Sequence, residues 1–313
     1  MFHIAERRKL WFLISALVII PGIIAMVYST ITYGTPVRLS IDFTGGSLYE
    51  VKFQSPATEQ GIRKVYNSVG ETDAIIQQLG DPADNRWQIR AGTLSTEQQD
   101  SVKQALNTQV APIDTSQSTF DVVDPTIGRE VTIAAILAVI AAAIVILGFI
   151  WIAFRRVPHA VRYGAAAIVA MLHDVLVTLG MMSILGIFFG WEVDALFLTA
   201  VLTVVAFSIQ DTIVIFDRIR ENLPKYRNEP FERVIDRSML EVIHRSLATQ
   251  LNVVFIMVAI LLFGGPTIKH FIAILLIGMA SGTYSSIFNA VPVLVSWEKG
   301  EIPFLNRRAS AEA

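Results

Sequence analysis

The fold class is decided by an uncharged apolar run, Trp11-Phe-Leu-Ile-Ser-Ala-Leu-Val-Ile-Ile-Pro-Gly-Ile-Ile-Ala-Met-Val-Tyr-Ser-Thr30. As a helix, a run of ~20 residues extends ~30 Å, which is the thickness of the hydrocarbon core of a bilayer. The basic flank of this run, Arg7 to Lys9, is like that of a signal peptide, but the apolar part is too long and no A-x-A-like cleavage site follows. We therefore predict an uncleaved membrane anchor.

The rest of the chain repeats this pattern. Five further apolar runs predict membrane-spanning helices at about Val131–Phe154, Tyr163–Phe189, Ala195–Phe216, Leu247–Phe263 and Phe271–Trp297. Only 17% of the residues are charged and 53% are hydrophobic, whereas soluble proteins average ~25% charged residues. We predict a polytopic α-helical membrane protein with six transmembrane helices.

Composition also excludes several classes of function. The net charge of −2 argues against a nucleic-acid-binding protein, which would neutralise phosphates with a basic excess. The chain has no cysteine, so disulfides, thiolate metal sites and cysteine nucleophiles are excluded. It also contains no GxxxxGK[ST] phosphate-binding loop. We expect no catalytic residue, no cofactor and no metal site, and hence a protein that is not an enzyme.

The short loops differ in charge between the two sides of the membrane. One side collects Arg7, Arg8, Lys9, Arg155, Arg156, Arg162, Arg218, Arg220, Lys225, Arg227, Arg233, Arg237, Arg245, Lys299, Arg307 and Arg308. The other side has Glu192, Asp194 and only Lys269. Because basic loops stay in the cytoplasm, we predict that both termini are cytoplasmic. The expected domains are 1–30 (N-terminus and first helix), 31–128 (extracytoplasmic), 129–298 (helices two to six) and 299–313 (cytoplasmic tail).

The extracytoplasmic segment has the pattern of a small folded domain. Strands are predicted at Val37–Phe43, Ser47–Phe53, Ala74–Leu79, Arg86–Ala91 and Ser118–Val123. The first two are expected to form a hairpin through Thr44-Gly45-Gly46. Helices are predicted from Ser55-Pro56 to about Val69 and from the capping box Ser95-Thr-Glu-Gln98 to about Val110. This order contains an α+β ferredoxin-like unit, which we expect to bind or dock rather than to catalyse.

Polar residues inside the predicted spans are candidates for function, because an ionisable group at bilayer depth costs at least ~2.5–3.5 kcal/mol. The third to fifth spans carry His173 and Asp174 with Thr178, then Gln210 and Asp211 with Ser208, and then Arg245, Thr249 and Asn252. The sixth carries Gly278-x-x-x-Gly282, with Ser281, Ser285 and Asn289 nearby, a small-residue face that lets helices pack closely.

Each of these groups also has a purely structural interpretation. His173 and Asp174 could form a local hydrogen-bond network, while Asp211 and Arg245 could lie near the membrane boundary and snorkel to water. An acid and a base on two helices joined by one loop nevertheless favour proton handling. Burial favours the protonated form of an aspartate and a nearby arginine favours the ionised form. Movement of Arg245 toward or away from Asp211 is therefore expected to release or capture a proton.

Four stretches of the chain resemble the SecF family. They are Ile41-Asp-Phe-Thr-Gly-Gly-Ser47, Leu172-His-Asp-Val-Leu-Val-Thr-Leu-Gly180, Ser208-Ile-Gln-Asp-Thr-Ile-Val-Ile-Phe-Asp-Arg-Ile-Arg-Glu221 and Arg245-Ser-Leu-Ala-Thr249. SecF proteins are the smaller membrane subunits of the SecDF protein-translocation motor and are related to the proton-driven RND exporters. The resemblance covers essentially the whole chain.

The resemblance implies a multi-pass protein of a bacterial-type plasma (inner) membrane. Its partners would be SecD, the SecY translocation channel complex, exported preprotein and protons. Asp211 and Arg245 correspond to proton-pathway residues that act with an Asp from SecD. Asp174 and His173 lie on a family motif and are expected on the same proton pathway. The supporting polar residues would be Gln210, Thr212, Thr249 and Asn252. Asp42, Gly45 and Gly46 match a signature expected to be structural, because glycine permits the positive φ of a tight turn.

The sequence departs from the family at several positions next to these candidates. Gln210 stands where Asn is usual, and Gln250 and Asn252 replace smaller residues after Arg245. We expect an accessory subunit of the Sec machinery that uses proton flow to assist preprotein translocation. The alternatives are an RND-type exporter subunit for small molecules or lipids, an intramembrane aspartyl protease using Asp174 and Asp211, and a scaffold whose charges only contact SecD.

Overall fold

A computed structural model describes residues 4–72, 74–154 and 160–301. In this part of the chain the α-helices are α1 Arg8–Tyr33, α2 Ile41–Thr44, α3 Glu59–Ser68, α4 Thr96–Ala105, α5 Pro125–Phe154, α6 Ala160–Phe189, α7 Ala195–Asn222, α8 Phe231–Phe263, α9 Pro266–Ser285 and α10 Val291–Glu298. The β-strands are β1 Gly46–Lys52, β2 Ile75–Leu79, β3 Arg86–Ala91 and β4 Thr119–Val123. The chain divides into two compact units, one of residues 39–137 and the other of the residues before and after it.

Among the described residues, six helical segments are long and apolar enough to cross a membrane, as predicted: α1, α5, α6, α7, α8 and the last segment from α9 to α10. About 44–50% of the apolar stretch is buried in α6, in α7 and in the α9–α10 segment, against 17% in α1 and α8. The centre of the bundle is therefore formed by α6, α7 and the α9–α10 segment, and α1 and α8 lie at its periphery.

A turn of π-helix, Ser286–Ala290, joins α9 to α10. Pro292 follows it at the start of α10. Proline has no N–H to donate four residues back and its ring crowds that carbonyl, so the α-helical hydrogen bonding cannot continue unchanged through this point. The wider turn presents Ser286 and Asn289 to the centre of the bundle, where both are buried.

Small residues allow the central helices to approach closely, as the sequence predicted for Gly278 and Gly282. A Cβ added at Gly278 would overlap the side chain of Val204 on α7. One added at Gly282 would lie 3.2 Å from the Cβ of Ser208, again on α7. The two glycines therefore form the contact surface between α9 and α7.

The ends of several helices meet through ion pairs on the side predicted to be basic. Arg8 at the start of α1 pairs with Glu301, Arg162 near the start of α6 pairs with Glu298, and Lys299 pairs with Glu232 near the start of α8. These charges therefore lie at one end of the bundle. Of the basic residues predicted on this side, Arg155, Arg156, Arg307 and Arg308 lie outside the described residues, as does the predicted tail from residue 302 onward.

The unit of residues 39–137 has a ferredoxin-like fold, as predicted. Its four strands form an antiparallel sheet in the order β2-β3-β1-β4, with α3 and α4 as the two helices of a βαββαβ arrangement. Phe53, Ile62, Ile89 and Leu106 are fully buried in its core.

Strand β3 has the predicted bounds, and the Ser95–Gln98 capping box opens α4 as predicted. The helix predicted from Ser55-Pro56 begins only at Glu59, where the Thr58 side chain caps it.

The predicted first strand, Val37–Phe43, is wrong. This stretch ends instead in the single-turn helix α2, because the Ser40 hydroxyl accepts a hydrogen bond from the Asp42 N–H at 3.2 Å. The Gly45 N–H closes the turn on the Ile41 carbonyl at 2.8 Å. The predicted hairpin through Thr44-Gly45-Gly46 is therefore also wrong, and the two glycines connect α2 to β1.

Both glycines of this connection have backbone angles that other residues rarely adopt. Gly45 has φ 72° and Gly46 has φ 114°. A Cβ on Gly45 would lie 2.5 Å from the Cα of Pro125 at the start of α5, and one on Gly46 would lie 2.7 Å from the Ala91 carbonyl oxygen. The connection therefore excludes side chains for two independent reasons, conformation and space.

We expect Gly45→Ala to lower the thermal unfolding temperature of the full chain more than Gly34→Ala does. Gly34 also has a positive φ, 80°, but has no atom within 4 Å of an added Cβ, so it reports conformational strain alone, about 1–2 kcal/mol. Gly45→Ala adds the overlap with Pro125 and a less accessible backbone conformation, φ 72° and ψ 178°, which is essentially restricted to glycine. Equal shifts of the two variants in the same detergent or lipid would show that the space around Gly45 is unimportant.

Candidate functional site

Asp174 on α6 is completely buried and accepts hydrogen bonds from two other helices. Its Oδ2 accepts from Ser208 on α7 at 2.5 Å and from Ser285 on α9 at 2.6 Å. Its Oδ1 accepts from Ser281 on α9 at 2.6 Å. We call these four residues and His173 the Asp174 cluster. A carboxyl group at this depth is tolerated because three hydroxyl groups replace the hydrogen bonds of water.

The serines of this cluster have a role that the sequence did not indicate. The sequence places Ser208 beside Asp211, yet its hydroxyl points to Asp174. For Ser281 and Ser285 the sequence predicts only a role in helix packing. Gly282 lies between these two serines and brings α9 close to α6. A Cβ added at Gly282 would lie 3.7 Å from Asp174 Oδ2. The feature of the sequence that could have predicted this role is the run of small residues around Gly278-x-x-x-Gly282, because small residues permit both close helix packing and short hydrogen bonds between helices.

His173 lies beside Asp174 and is 93% buried, with 7% of its surface exposed. Its Nδ1 is 3.1 Å from Asp174 Oδ1. Its Nε2 is buried and has no hydrogen-bond partner among the described residues. The backbone carbonyl of Asp174 accepts from Thr178 on the same helix at 2.7 Å. His173 and Asp174 are therefore coupled, and one imidazole nitrogen remains available.

Asp211 on α7 is 8% exposed and forms a second site with α8. Its Oδ1 accepts a hydrogen bond from Ser246 at 2.9 Å, and its Oδ2 accepts one from the Gln250 side chain at 2.5 Å. We call these three residues the Asp211 cluster. Gln250, which the resemblance implies stands in place of a smaller residue, reaches the carboxyl group with its side chain. Both donors are neutral.

Arg245 does not contact Asp211 in this structure. Its side chain is exposed, and no ion pair or hydrogen bond between the two is found among the described residues. The reason is helical geometry: Arg245 precedes Ser246 by one residue, which is about 100° around α8. Ser246 and Gln250 face Asp211, so Arg245 faces away from it. The sequence therefore indicated that Asp211 of α7 lies against α8, but not that Ser246 and Gln250 are the residues of α8 that contact it.

Arg245, Thr249 and Asn252 are all exposed and form one polar stripe along α8, as their spacing predicted. A second stripe runs along α7, where Thr199 and Gln210 are exposed. The two helices are antiparallel and face each other through the Asp211 cluster, so both stripes fall on the same side of the pair. We call them together the polar stripe surface.

The remaining candidates lie elsewhere. Thr212 is buried, and its Oγ1 lies 3.1 Å from Ser286 Oγ in the π-helical turn. Asp42, Gly45 and Gly46 belong to the ferredoxin-like unit. Asp174 and Asp211 have separate sets of donors, and no hydrogen bond joins their carboxyl groups among the described residues. Within the described part of the chain, no three His, Asp or Glu residues are placed to hold a metal ion.

Comparisons with known proteins agree with this architecture. Residues 102–300 match the family model described as protein export membrane protein SecD/SecF, C-terminal, and residues 31–57 match the SecD/SecF GG motif. The chain is 47% identical over 305 residues to a protein translocase subunit SecF of Anaerolinea thermophila, covering 96% of each chain. It is 42% identical over 320 residues to that of Thermobaculum terrenum, covering 100% of this chain and 99% of the relative.

A solved structure has the same fold. It is the crystal structure of SecDF, a translocon-associated membrane protein from Thermus thermophilus, with a TM-score of 0.77 and 27% sequence identity. The match covers 95% of this chain but only 39% of that longer one. With family models over both compact units and relatives of this identity over nearly the full length, the chain belongs to the SecF family of protein export membrane proteins.

Proposed function

We propose that the chain is an accessory subunit of the Sec protein-export machinery that uses proton flow through its membrane helices to assist preprotein translocation. The observation that carries this proposal is the Asp211 cluster. A carboxyl group in a membrane-spanning helix is held there by Ser246 and Gln250, which are both neutral. Neutral donors leave the carboxyl free to bind and release a proton, whereas a fixed ion pair would hold it ionised.

Arg245 supplies the switch in this proposal. It lies on the same helix as the two donors but about 100° away from them. A rotation of α8 by that angle would exchange Ser246 for Arg245 at the Asp211 carboxyl and expel the proton. Only 17% of the apolar stretch of α8 is buried, so few contacts of that stretch oppose the rotation, whereas Ile235 and Met239 near the start of α8 are fully buried and would have to move with it. Each proton that crosses 100 mV of membrane potential supplies about 2.3 kcal/mol.

The polar stripe surface indicates a partner within the membrane. Arg245, Asn252 and Gln210 are exposed in this chain, and such side chains are costly against lipid. We propose that helices of SecD cover this surface and contribute the further Asp of the proton pathway. The match of this chain to 39% of a SecDF chain supports that partner. The SecY channel complex and the exported preprotein are the other proposed partners.

The orientation follows from the basic end of the bundle. Arg8, Arg162 and Lys299 meet at that end, and positive residues favour the cytoplasm. We propose that this end and both termini are cytoplasmic in a bacterial inner membrane. The ferredoxin-like unit of residues 39–137 is then extracytoplasmic, where it can meet a preprotein that leaves the channel.

We expect Asp211→Asn to abolish the stimulation of translocation by a proton gradient in proteoliposomes that contain the complete Sec complex. The loss should be about tenfold or more, since ~2.3 kcal/mol per proton at 100 mV is no longer coupled. Translocation without a gradient should be unchanged. Asp217→Asn is the matched control, because Asp217 is on the same helix but is half exposed and pairs with Arg220. Undiminished stimulation in Asp211→Asn would refute the proposed mechanism.

Cysteine crosslinking tests the proposed partner surface, and the absence of native cysteine makes it specific. We expect Thr249→Cys, on the polar stripe surface, to crosslink to a cysteine placed in a SecD helix. Leu251→Cys is the control, because Leu251 is 51% exposed on the same helix but lies about 160° from Thr249 around its axis. Equal crosslinking of both variants, or of neither with any SecD helix, would contradict this surface assignment.

A further inference from the structure

The antiparallel sheet of the ferredoxin-like unit has two edge strands, β2 on one side and β4 on the other. An edge strand presents unpaired N–H and C=O groups, to which a further extended chain can hydrogen-bond. The register of the sheet determines which residues carry these groups. The side chains along each edge determine whether another strand can reach them, and in this respect the two edges differ.

The direction of the backbone groups alternates along each strand, and one hydrogen bond fixes the alternation for the sheet. The Phe53 N–H donates to the Asn85 carbonyl at 3.0 Å, which continues the register between β1 and β3. In an antiparallel ladder every second residue faces the same neighbouring strand. Three residues of β3 therefore turn their backbone groups away from β1 and toward β2: Arg86, Gln88 and Arg90.

On β2 this alternation leaves two residues that face away from the sheet. The residues of β2 that pair with those three of β3 are Ile75, Gln77 and Leu79. The N–H and C=O groups of Ile76 and Gln78 therefore point outward, and no partner for them is found among the described residues. The Ala74 carbonyl faces the same way, and it accepts from Arg63 at 3.2 Å.

Strand β2 lacks the features by which natural edge strands prevent pairing, which are charged side chains, proline and bulges. Its sequence, Ile75-Ile-Gln-Gln-Leu79, contains no charge and no proline, and its register with β3 is continuous. Ile75 is 47% exposed, and Gln78 is exposed as well. The outer edge of β2 is therefore open to another strand over the residues that the structure describes.

Strand β4 is protected where β2 is not. By the same alternation its outward-facing residues are Phe120 and Val122. Asp121, between them, is exposed, and the Lys103 ammonium lies 4.7 Å from the centre of the Phe120 ring. A strand added at this edge would lie beside both charges and remove part of their hydration, which is unfavourable.

We propose that the outer edge of β2 binds an extended segment of exported polypeptide, which joins the sheet as an additional strand. Ile76 and Gln78 each offer one donor and one acceptor to the main chain of that segment. Main-chain pairing does not depend on sequence, so it suits a partner whose sequence differs from one exported protein to the next. Ile75 and Leu79 lie on one face of β2 and favour apolar residues at alternate positions of the segment.

The identity of the segment as a preprotein rests on the proposed function, whereas the ability of β2 to bind a strand does not. The test therefore uses a synthetic probe, an octapeptide of alternating valine and threonine with a lysine at each end. Amide hydrogen exchange is followed by NMR on the full chain in lipid nanodiscs. The control peptide has proline in place of two threonines, so that it cannot pair along its length.

Without peptide, we expect the Ile76 and Gln78 amides to exchange rapidly and the Gln77 amide, which faces β3, to exchange slowly. A saturating concentration of the octapeptide should slow exchange at Ile76 and Gln78 at least tenfold, and the proline peptide should not. Unchanged exchange, or protection at Phe120 and Val122 instead, would overturn the proposal. So would protection of Ile76 and Gln78 before peptide is added, because a second copy of the chain or another strand would then occupy the edge.

A matched pair of proline variants tests the edge by affinity, measured from the fluorescence anisotropy of the labelled octapeptide. Gln78→Pro removes an outward N–H of β2 and leaves the residues that face β3 unchanged. Val122→Pro makes the same change at the edge of β4. We expect Gln78→Pro to weaken binding at least tenfold and Val122→Pro to change it less than twofold. Equal affinities of the two variants would contradict binding at β2.

A second pair keeps the test decisive if Gln78→Pro does not fold. Ile75→Lys places a charge on the edge of β2, and Thr119→Lys places one on the edge of β4, where Thr119 is exposed. Only Ile75→Lys should weaken binding, by fivefold or more, and binding that both variants retain would refute the proposal. None of these measurements involves translocation or a proton gradient, so they can fail while the Asp211 mechanism stands, and the reverse.

Discussion

The hydrogen bonding of Asp174 is the interaction on which the centre of the bundle depends. A carboxyl group without partners at this depth would be strongly destabilising, and within the described part of the chain its side-chain partners come from α6, α7 and α9. Ser208, Ser281 and Ser285 lie within 2.6 Å of its oxygens. The two hydroxyls of α9, those of Ser281 and Ser285, can reach it because Gly278 and Gly282 let α9 pack closely against its neighbours. The small-residue packing and the buried acid therefore require each other.

The two acids of the bundle have different surroundings, and that difference suggests a division of roles. Asp174 is enclosed by the central helices, which its hydroxyl partners hold together. Asp211 lies between α7 and the peripheral helix α8, next to the polar stripe surface, where its partners on α8 can change. A fixed acid at the centre and an adjustable one at the edge are what the proposed proton-driven mechanism requires.

Much of the fold could be predicted from local sequence patterns. The six apolar runs, the Ser95–Gln98 capping box and strand β3 each depend on neighbouring residues alone. The strand predicted at Val37–Phe43 failed because Ser40 caps a single helical turn, an interaction that outweighs alternation. The partners of Asp211 could not be predicted either: Arg245, Ser246 and Gln250 are all close in sequence, and only the rotation of α8 decides which of them face α7.

The proposed binding and release of a proton by Asp211 inside the membrane can be followed by infrared difference spectroscopy. The complex would be reconstituted in lipid and its spectrum recorded as the pH is changed. We expect a C=O stretching band of a protonated carboxyl that disappears in Asp211→Asn and remains in Asp217→Asn. A difference spectrum that is the same with and without the Asp211 carboxyl would show that Asp211 does not bind and release a proton.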